Sequence, residues 1–220
     1  MNILVIGSTG RVGKCLVQYA LEAGHQVTAF ARSLDDYPIQ HERLRCVTGD
    51  VLYPALLEAA IPGHDVVLSV IGIRQFSGEI TLLSTGIRHI VQVMQRHGVK
   101  RILTLTGAGI LQESADELIM DSLSFPPNLQ NLSLDHERVY RILEASGLDW
   151  TIVAPSFMYN GRRTGQYVTE ADYFPRPAQN RIAAEDVADF MTREMIDNQY
   201  IRKRVGIAHP ILMEEIEEEY

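Results

Sequence analysis

The apolar run Ile3-Leu4-Val5-Ile6 passes directly into Gly7-Ser8-Thr9-Gly10-Arg11-Val12-Gly13, and an amphipathic helical pattern follows over residues 14–23. A buried-type strand, a glycine-rich turn and a helix, in that order, leave few options. The first glycine permits a tight turn, the second lets backbone approach a ligand with no Cβ between them, and the third lets the helix lie close to the sheet. N–H groups at the start of such a helix lack intrahelical partners and favour an anion. The glycine triplet alone also occurs in turns that bind nothing. Its place between a strand and a helix at residue 7 points to the pyrophosphate of a dinucleotide.

Further strand-like runs recur at 27–30, 44–47, 66–71, 101–105, 150–154 and 205–207, with helical patterns at 55–60, 81–97, 135–145 and 184–198 between them. Strands apolar on both faces that alternate with helices are the mark of a parallel sheet covered on both sides. Gly24, Gly63, Gly98 and Gly147 each end a helix and turn the chain toward the next strand. The expectation is one domain over residues 1–220, an α/β doubly wound fold of Rossmann type with a mostly parallel sheet of about seven strands. Two stretches break the rhythm, 109–131 and 158–181, the latter rich in Gly, Pro, Tyr and Arg. Both follow strands, so both are expected at the carboxyl edge of the sheet as the substrate wall.

The 28 acidic and 20 basic residues give a net charge of -8, which argues against a nucleic-acid partner. Much of the excess lies in Glu214, Glu215, Glu217, Glu218 and Glu219, read as a solvated surface. Cys15 and Cys46 read as small buried hydrophobes in a helix and a strand. Met1 leads into a core strand without a leader-like segment, and no 18-residue apolar span is present. A cytoplasmic protein with no membrane contact is expected, acting on a small-molecule substrate as a monomer or weak homodimer.

Where a carboxylate would hold the two ribose hydroxyls of NAD, the second strand ends instead at Arg32. A guanidinium can pair in a fork with a 2′-phosphate, so NADP(H) is the expected cofactor. The competing reading is a surface arginine paired with Asp35 or Asp36. Asp50 and Val51 follow the third strand, placed to meet adenine, although Asp50 also reads as a cap for the helix that begins near Tyr53. Val70, Ile71 and Gly72 end the fourth strand, with Arg74 in reach of phosphate or an anionic substrate unless it is simply a surface residue. Thr106 and Gly107 end the fifth, which would put the Thr106 hydroxyl near the nicotinamide.

Only three lysines occur, Lys14, Lys100 and Lys203, and none lies four residues after a tyrosine. The Tyr-x-x-x-Lys pair that lowers a phenol pKa in carbonyl reduction is therefore missing. Tyr140 is followed at that interval by Glu144, and a carboxylate raises a phenol pKa. No metal-ligand spacing and no Gly-x-Ser-x-Gly elbow is present. An acceptor that delocalises incoming charge, such as a flavin, a tetrapyrrole or a quinone, has least need of a protein acid.

Taken together, these residues resemble the atypical short-chain dehydrogenases, and most closely the biliverdin-IXβ reductase and flavin reductase group with its NmrA-like relatives. The resemblance runs over nearly the whole chain, through the glycine loop, Arg32, Gly49-Asp50-Val51, Gly72-Ile73-Arg74, Gly86 to Val91, His97-Gly98-Val99, Asp135 to Arg138, Pro155 and Gly165-Gln166-Tyr167. It implies that Gly7 to Gly13 cradle the pyrophosphate, that Arg32 takes the 2′-phosphate, and that His136 lies beside the cofactor. Read without the resemblance, His136 is a helix-start residue behind a cap at Ser133. Gly107 stands where the group carries serine and Phe157 where it carries histidine, and the second basic residue after Arg32 is missing near Asp36. The NADP fold therefore transfers better than bilin reduction does. The expected activity is NADPH-dependent hydride transfer to a planar conjugated molecule. Thr106 would orient the reacting groups, with Pro155 and Phe157 beside the cofactor. Phe157, Tyr159, Tyr167, Tyr173 and Phe174 would wall the acceptor pocket, unless they pack as loop core. The alternative is an NADP(H)-binding redox sensor or scaffold without turnover.

Overall fold

A computed structural model describes residues 1–73 and 77–211. Strand β1 (Asn2–Ile6) enters helix α1 (Arg11–Glu22), followed by β2 (Gln26–Ala31), β3 (Leu44–Thr48), α2 (Pro54–Ala60) and β4 (Val66–Ser69). Then come α3 (Leu82–His97), β5 (Arg101–Leu105), α4 (Gln130–Glu144), β6 (Asp149–Pro155), β7 (Phe157–Tyr159) and β8 (Val168–Ala171). The chain continues through β9 (Arg181–Ala183), α5 (Ala184–Asp197) and β10 (Lys203–Ala208). The main sheet runs β3-β2-β1-β4-β5-β6-β10-β8, parallel except for β8, which pairs antiparallel with β10. The first six positions have the doubly wound order, with its reversal between β1 and β4.

Burial alternates as a two-sided sheet demands. Ile3 and Val5 of β1 pack under α1 and α5, while Leu4 and Ile6 pack under α2, α3 and α4. α1 buries Val12, Leu16, Val17, Ala20 and Leu21, and α3 buries Leu83, Ile87, Ile90, Val91 and Met94, each a single helical stripe. The four turn glycines, Gly24, Gly63, Gly98 and Gly147, all have positive φ, as the helix-exit reading requires.

Four expectations need correction. The stretch 158–181 is not all loop, because β8 forms the edge of the main sheet and β7 pairs with β9 in a separate ribbon. The Tyr167-Val168-Thr169-Glu170-Ala171 alternation that makes an edge strand is flanked by glycine and proline, which masked it. Cys46 is exposed rather than buried, since β3 is the other edge strand and has β2 as a neighbour on one side only. α4 starts five residues earlier than 135, at Gln130, so Ser133 lies inside its first turns and does not cap it. The fourth strand ends at Ser69, leaving Val70 and Ile71 as irregular backbone at the sheet edge.

Candidate functional site

A cleft of about 900 Å³ opens at the carboxyl ends of β1 and β4, where the strand order reverses. Gly7, Thr9, Gly10, Arg11 and Val12 line it from the turn between β1 and α1. Gly7 has φ +87°, donates its N–H to Phe30 O at 2.9 Å, and would place a Cβ 2.7 Å from Val70 O. A Cβ on Gly13 would fall 2.2 Å from Gly7 O. Backbone is thus packed on backbone, and no side chain caps α1. Among the described residues the N–H groups of Arg11, Val12 and Gly13 therefore have no acceptor, which suits an anion. Ser8 lies buried behind the turn with its Oγ unpartnered, and the Tyr37 hydroxyl donates to Ser8 O at 3.1 Å.

Arg32 lines the cleft just past β2 and is exposed. Asp35 instead accepts from the Ser33 hydroxyl at 3.3 Å, and no ion pair to Arg32 is present among the described residues. Asp50 and Val51 line the same end. Asp50 accepts from the Leu52 N–H at 3.0 Å in a local turn, while Tyr53 takes the cap position of α2 with no side-chain cap bond. The cap reading of Asp50 therefore falls away. Val70, Ile71 and Gly72 form the facing wall, and a Cβ on Gly72 would meet nothing within 4 Å. Arg74 lies outside the described residues, as does the acidic tail.

Residues Ser77 and Glu79 to Leu82 also line the cleft, which the sequence did not signal. Their wall is set by α4. Buried Asp135 accepts from the N–H groups of Leu83 (2.9 Å) and Ser84 (3.3 Å) and from the Ser84 hydroxyl, so it caps α3 from a different helix. Arg138 donates to Ile80 O at 2.9 Å. No local spacing encodes a cap that arrives from 52 residues away.

At the other end the lining is Leu105 and Met158. Thr106 sits directly behind Leu105, buried, with its Oγ1 unpartnered, and the same holds for the Ser156 Oγ. His136 packs against Gly107, where an added Cβ would lie 3.5 Å from its Cε1 and Nδ1, and burial pushes the ring pKa down to about 4. Pro155 ends β6 between Ala154 and Ser156. These groups gather at one sheet edge beside the cleft rather than in its lining. Phe157 is 69% exposed beside Met158, and the Tyr159 ring lies 6.0 Å from the Arg181 guanidinium.

The other three aromatics are not brought there. Tyr167 donates to Asp189 at 2.9 Å and packs edge-on against Phe190 of α5. Tyr173 and Phe174 cross β10, where a Cβ on Gly206 would meet Tyr173 O at 2.2 Å. None of the three lines the cleft; the loop-core reading describes Tyr167, while Tyr173 is exposed and Phe174 half-buried beside β10. Tyr140 donates to Glu144 at 2.6 Å, and its pKa is raised by burial and then by that bond. Among the described residues no cluster of metal-ligating groups is found, and no helix is long and apolar enough to cross a membrane.

A family model for NAD(P)H-binding proteins matches residues 7–198. The uncharacterized protein YwnB of Bacillus subtilis is 27% identical over 172 residues, covering 76% of this chain and 78% of YwnB. A Streptococcus pneumoniae structure provisionally named an NADH-flavin reductase aligns with TM-score 0.82 at 25% identity, over 95% of this chain and 99% of that one. A Bacteroides thetaiotaomicron structure provisionally named an epimerase aligns with TM-score 0.84 at 26% identity, over 96% and 98%. The cleft fits the cofactor these comparisons imply: a turn whose close backbone packing excludes a Cβ at Gly7 and Gly13, uncapped N–H groups, and a guanidinium at Arg32 with no ion pair among the described residues. With the match over residues 7–198, the chain belongs to the NAD(P)H-binding family.

Proposed function

We propose that the protein is an NADPH-dependent reductase of a planar, conjugated small molecule, with flavin the first acceptor to test. The observation that carries this reading is the chemistry of the reacting end. Leu105, Met158 and exposed Phe157 offer apolar surface, and the buried His136 ring beside Gly107 is unsuited to proton donation. His136 is neutral above pH of about 4, and the Tyr140 phenol is committed to Glu144. An acceptor that spreads incoming charge over a ring system needs neither, and solvent can supply its proton.

Gly7 to Gly13 would hold the pyrophosphate, Arg32 the 2′-phosphate, Asp50 and Val51 the adenine, and Val70 to Gly72 the central ribose. When bound, the reduced nicotinamide supplies the hydride. The chain's own part is then largely proximity, since stacking two rings in transfer range supplies most of what such a site can offer. Thr106 orients a polar atom beside the transfer, its hydroxyl being free to do so. Arg32 sets the preference for NADPH over NADH. Phe157 or Tyr159 filling the reacting end would favour a sensor without turnover, and the exposure of Phe157 favours the reductase.

Steady-state NADPH oxidation with FMN, bilins and quinones tests the proposal. Turnover with at least one, undiminished in Tyr140→Phe, is expected. Persistent inactivity with all three, at confirmed NADPH saturation, refutes it.

A further inference from the structure

One hydrogen bond crosses the cleft. Arg11, the first residue of α1, donates from Nη1 to the main-chain oxygen of Met158 at 3.1 Å. The two residues are 147 apart in sequence and belong to opposite ends of the site, the phosphate turn and the strand beside the acceptor pocket. Both line the cleft. Arg11 forms no ion pair among the described residues, so its other guanidinium donors are uncommitted.

We propose that Arg11 is a positioning residue that couples occupancy of the phosphate turn to the placement of β7, and through β7 to the acceptor pocket. A guanidinium presents five N–H donors in a rigid fork, so it can serve a phosphate and a carbonyl at once. Without an anion at the turn, the exposed Arg11 side chain is held, among the described residues, by a single bond to a neutral carbonyl, which is weak. A phosphate at the turn adds charge-assisted bonds, roughly twice as strong as neutral ones, and fixes the fork. The Met158 carbonyl is then held in place by a fixed donor instead of a wandering one.

The segment it holds is short and lightly supported. Among the described residues β7 pairs only with β9, in the register Phe157↔Arg181, Met158↔Ile182 and Tyr159↔Ala183, outside the main sheet. It begins one residue after Ser156, whose hydroxyl is buried without a partner, and it carries Met158 at the reacting end. Fixing β7 therefore sets the floor against which an acceptor ring packs. Because coupling is reciprocal, cofactor and acceptor should each tighten the other's binding.

The test uses the full chain with NADP⁺, which occupies the turn without turnover, and hydrogen–deuterium exchange as the readout. In wild type, saturating NADP⁺ should slow exchange in residues 156–161 by at least about threefold, since a fixed donor raises local protection. In Arg11→Gln that protection should vanish, while residues 68–73 remain protected and report that the cofactor is bound. Arg11→Lys keeps the charge but offers one nitrogen, so at NADP⁺ concentrations that protect residues 68–73 as in wild type it should still fail to protect 156–161. Equal protection of 156–161 in all three proteins, or none in wild type at saturation, overturns the proposal. A second arm rests on the acceptor reading above: FMN should bind wild type more tightly with NADP⁺ present, and Arg11→Gln should lose that gain. Failure of FMN to bind at all counts against the acceptor reading alone, and the exchange data still decide the role of Arg11.

Discussion

Asp135→Ala should be among the most damaging single substitutions outside the glycine loop, although Asp135 touches no cleft surface. Its carboxylate is fully buried and accepts from two backbone N–H groups at the start of α3 and from the Ser84 hydroxyl. Loss of an ordinary exposed cap costs about 1 kcal/mol, because water takes over the freed N–H groups. Here the site is closed to water, and each orphaned donor costs about 1–3 kcal/mol. The three losses overlap, since a relaxed Ser84 hydroxyl can serve one N–H, so a total of about 3–5 kcal/mol is expected. Asp135→Asn keeps an acceptor oxygen and should cost about 1–2 kcal/mol. Urea unfolding followed by circular dichroism gives both values, and NADPH fluorescence titration should show weaker binding in the Ala variant as Ile80 to Leu82 loosen. A loss below about 1 kcal/mol for Asp135→Ala, or equal losses for Ala and Asn, would refute the reasoning, because either result means that the carboxylate is not what holds α3.

Arg32→Ala should weaken NADPH binding by about 1–3 kcal/mol and leave NADH binding unchanged, measured by titration of both cofactors; equal losses for the two remove its assigned role. Gly13→Ala drives a Cβ to 2.2 Å from Gly7 O and 2.8 Å from the Ser8 Cα, backbone atoms that cannot swing aside. It should abolish detectable cofactor binding and destabilise by about 1–3 kcal/mol, and a variant that binds NADPH normally contradicts the cradle geometry. Burial holds the folded His136 pKa at about 4 against 6.5 for a free ring, so the unfolded chain takes up the proton first as pH falls. Stability linked to this ring is intact above pH of about 6.5 and is lost toward pH 4, by up to about 3 kcal/mol. Urea melts of wild type and His136→Gln at pH 7.5 and pH 4.5 should show a shallower pH dependence in the variant.

The parts of this fold that were legible in the chain are those governed by local rules. Alternating faces in Ile3 to Ile6, helical stripes in α1 and α3, and glycines at positive φ all act within a few residues of themselves. What was not legible depends on partners far along the chain. β8 exists because Ala171 and Val205 meet across the sheet edge, and the surrounding glycines and prolines read as loop. Cys46 looked buried because an apolar run does not reveal that its strand has a neighbour on one side only. Within the site, the glycine turn, Arg32, Asp50 and Val51 converge on one cleft as their spacing suggested. The wall from Glu79 to Leu82 did not announce itself, because it is fixed by Asp135 and Arg138 from another helix. Tyr167 was misplaced for the same reason: its hydroxyl finds Asp189 on α5, a contact no motif encodes.

The connections at the two edges of the sheet differ in length, and that difference divides labour in the molecule. At the amino edge, helix returns to strand through the few residues around Gly24, Gly98 and Gly147. At the carboxyl edge, the connection between β5 and α4 and the one between β6 and α5 each run for more than twenty residues. Among the described residues only Met158 of these two connections lines the cleft, so changes around it can reshape what the cleft accepts while the main sheet and its cofactor turn stay as they are. A set of substitutions at Met158 and its exposed neighbour Phe157 should therefore be a route to new acceptors on an unchanged frame. Such a set leaves in place the Tyr167 and Asp189 contact that fastens the second connection to α5.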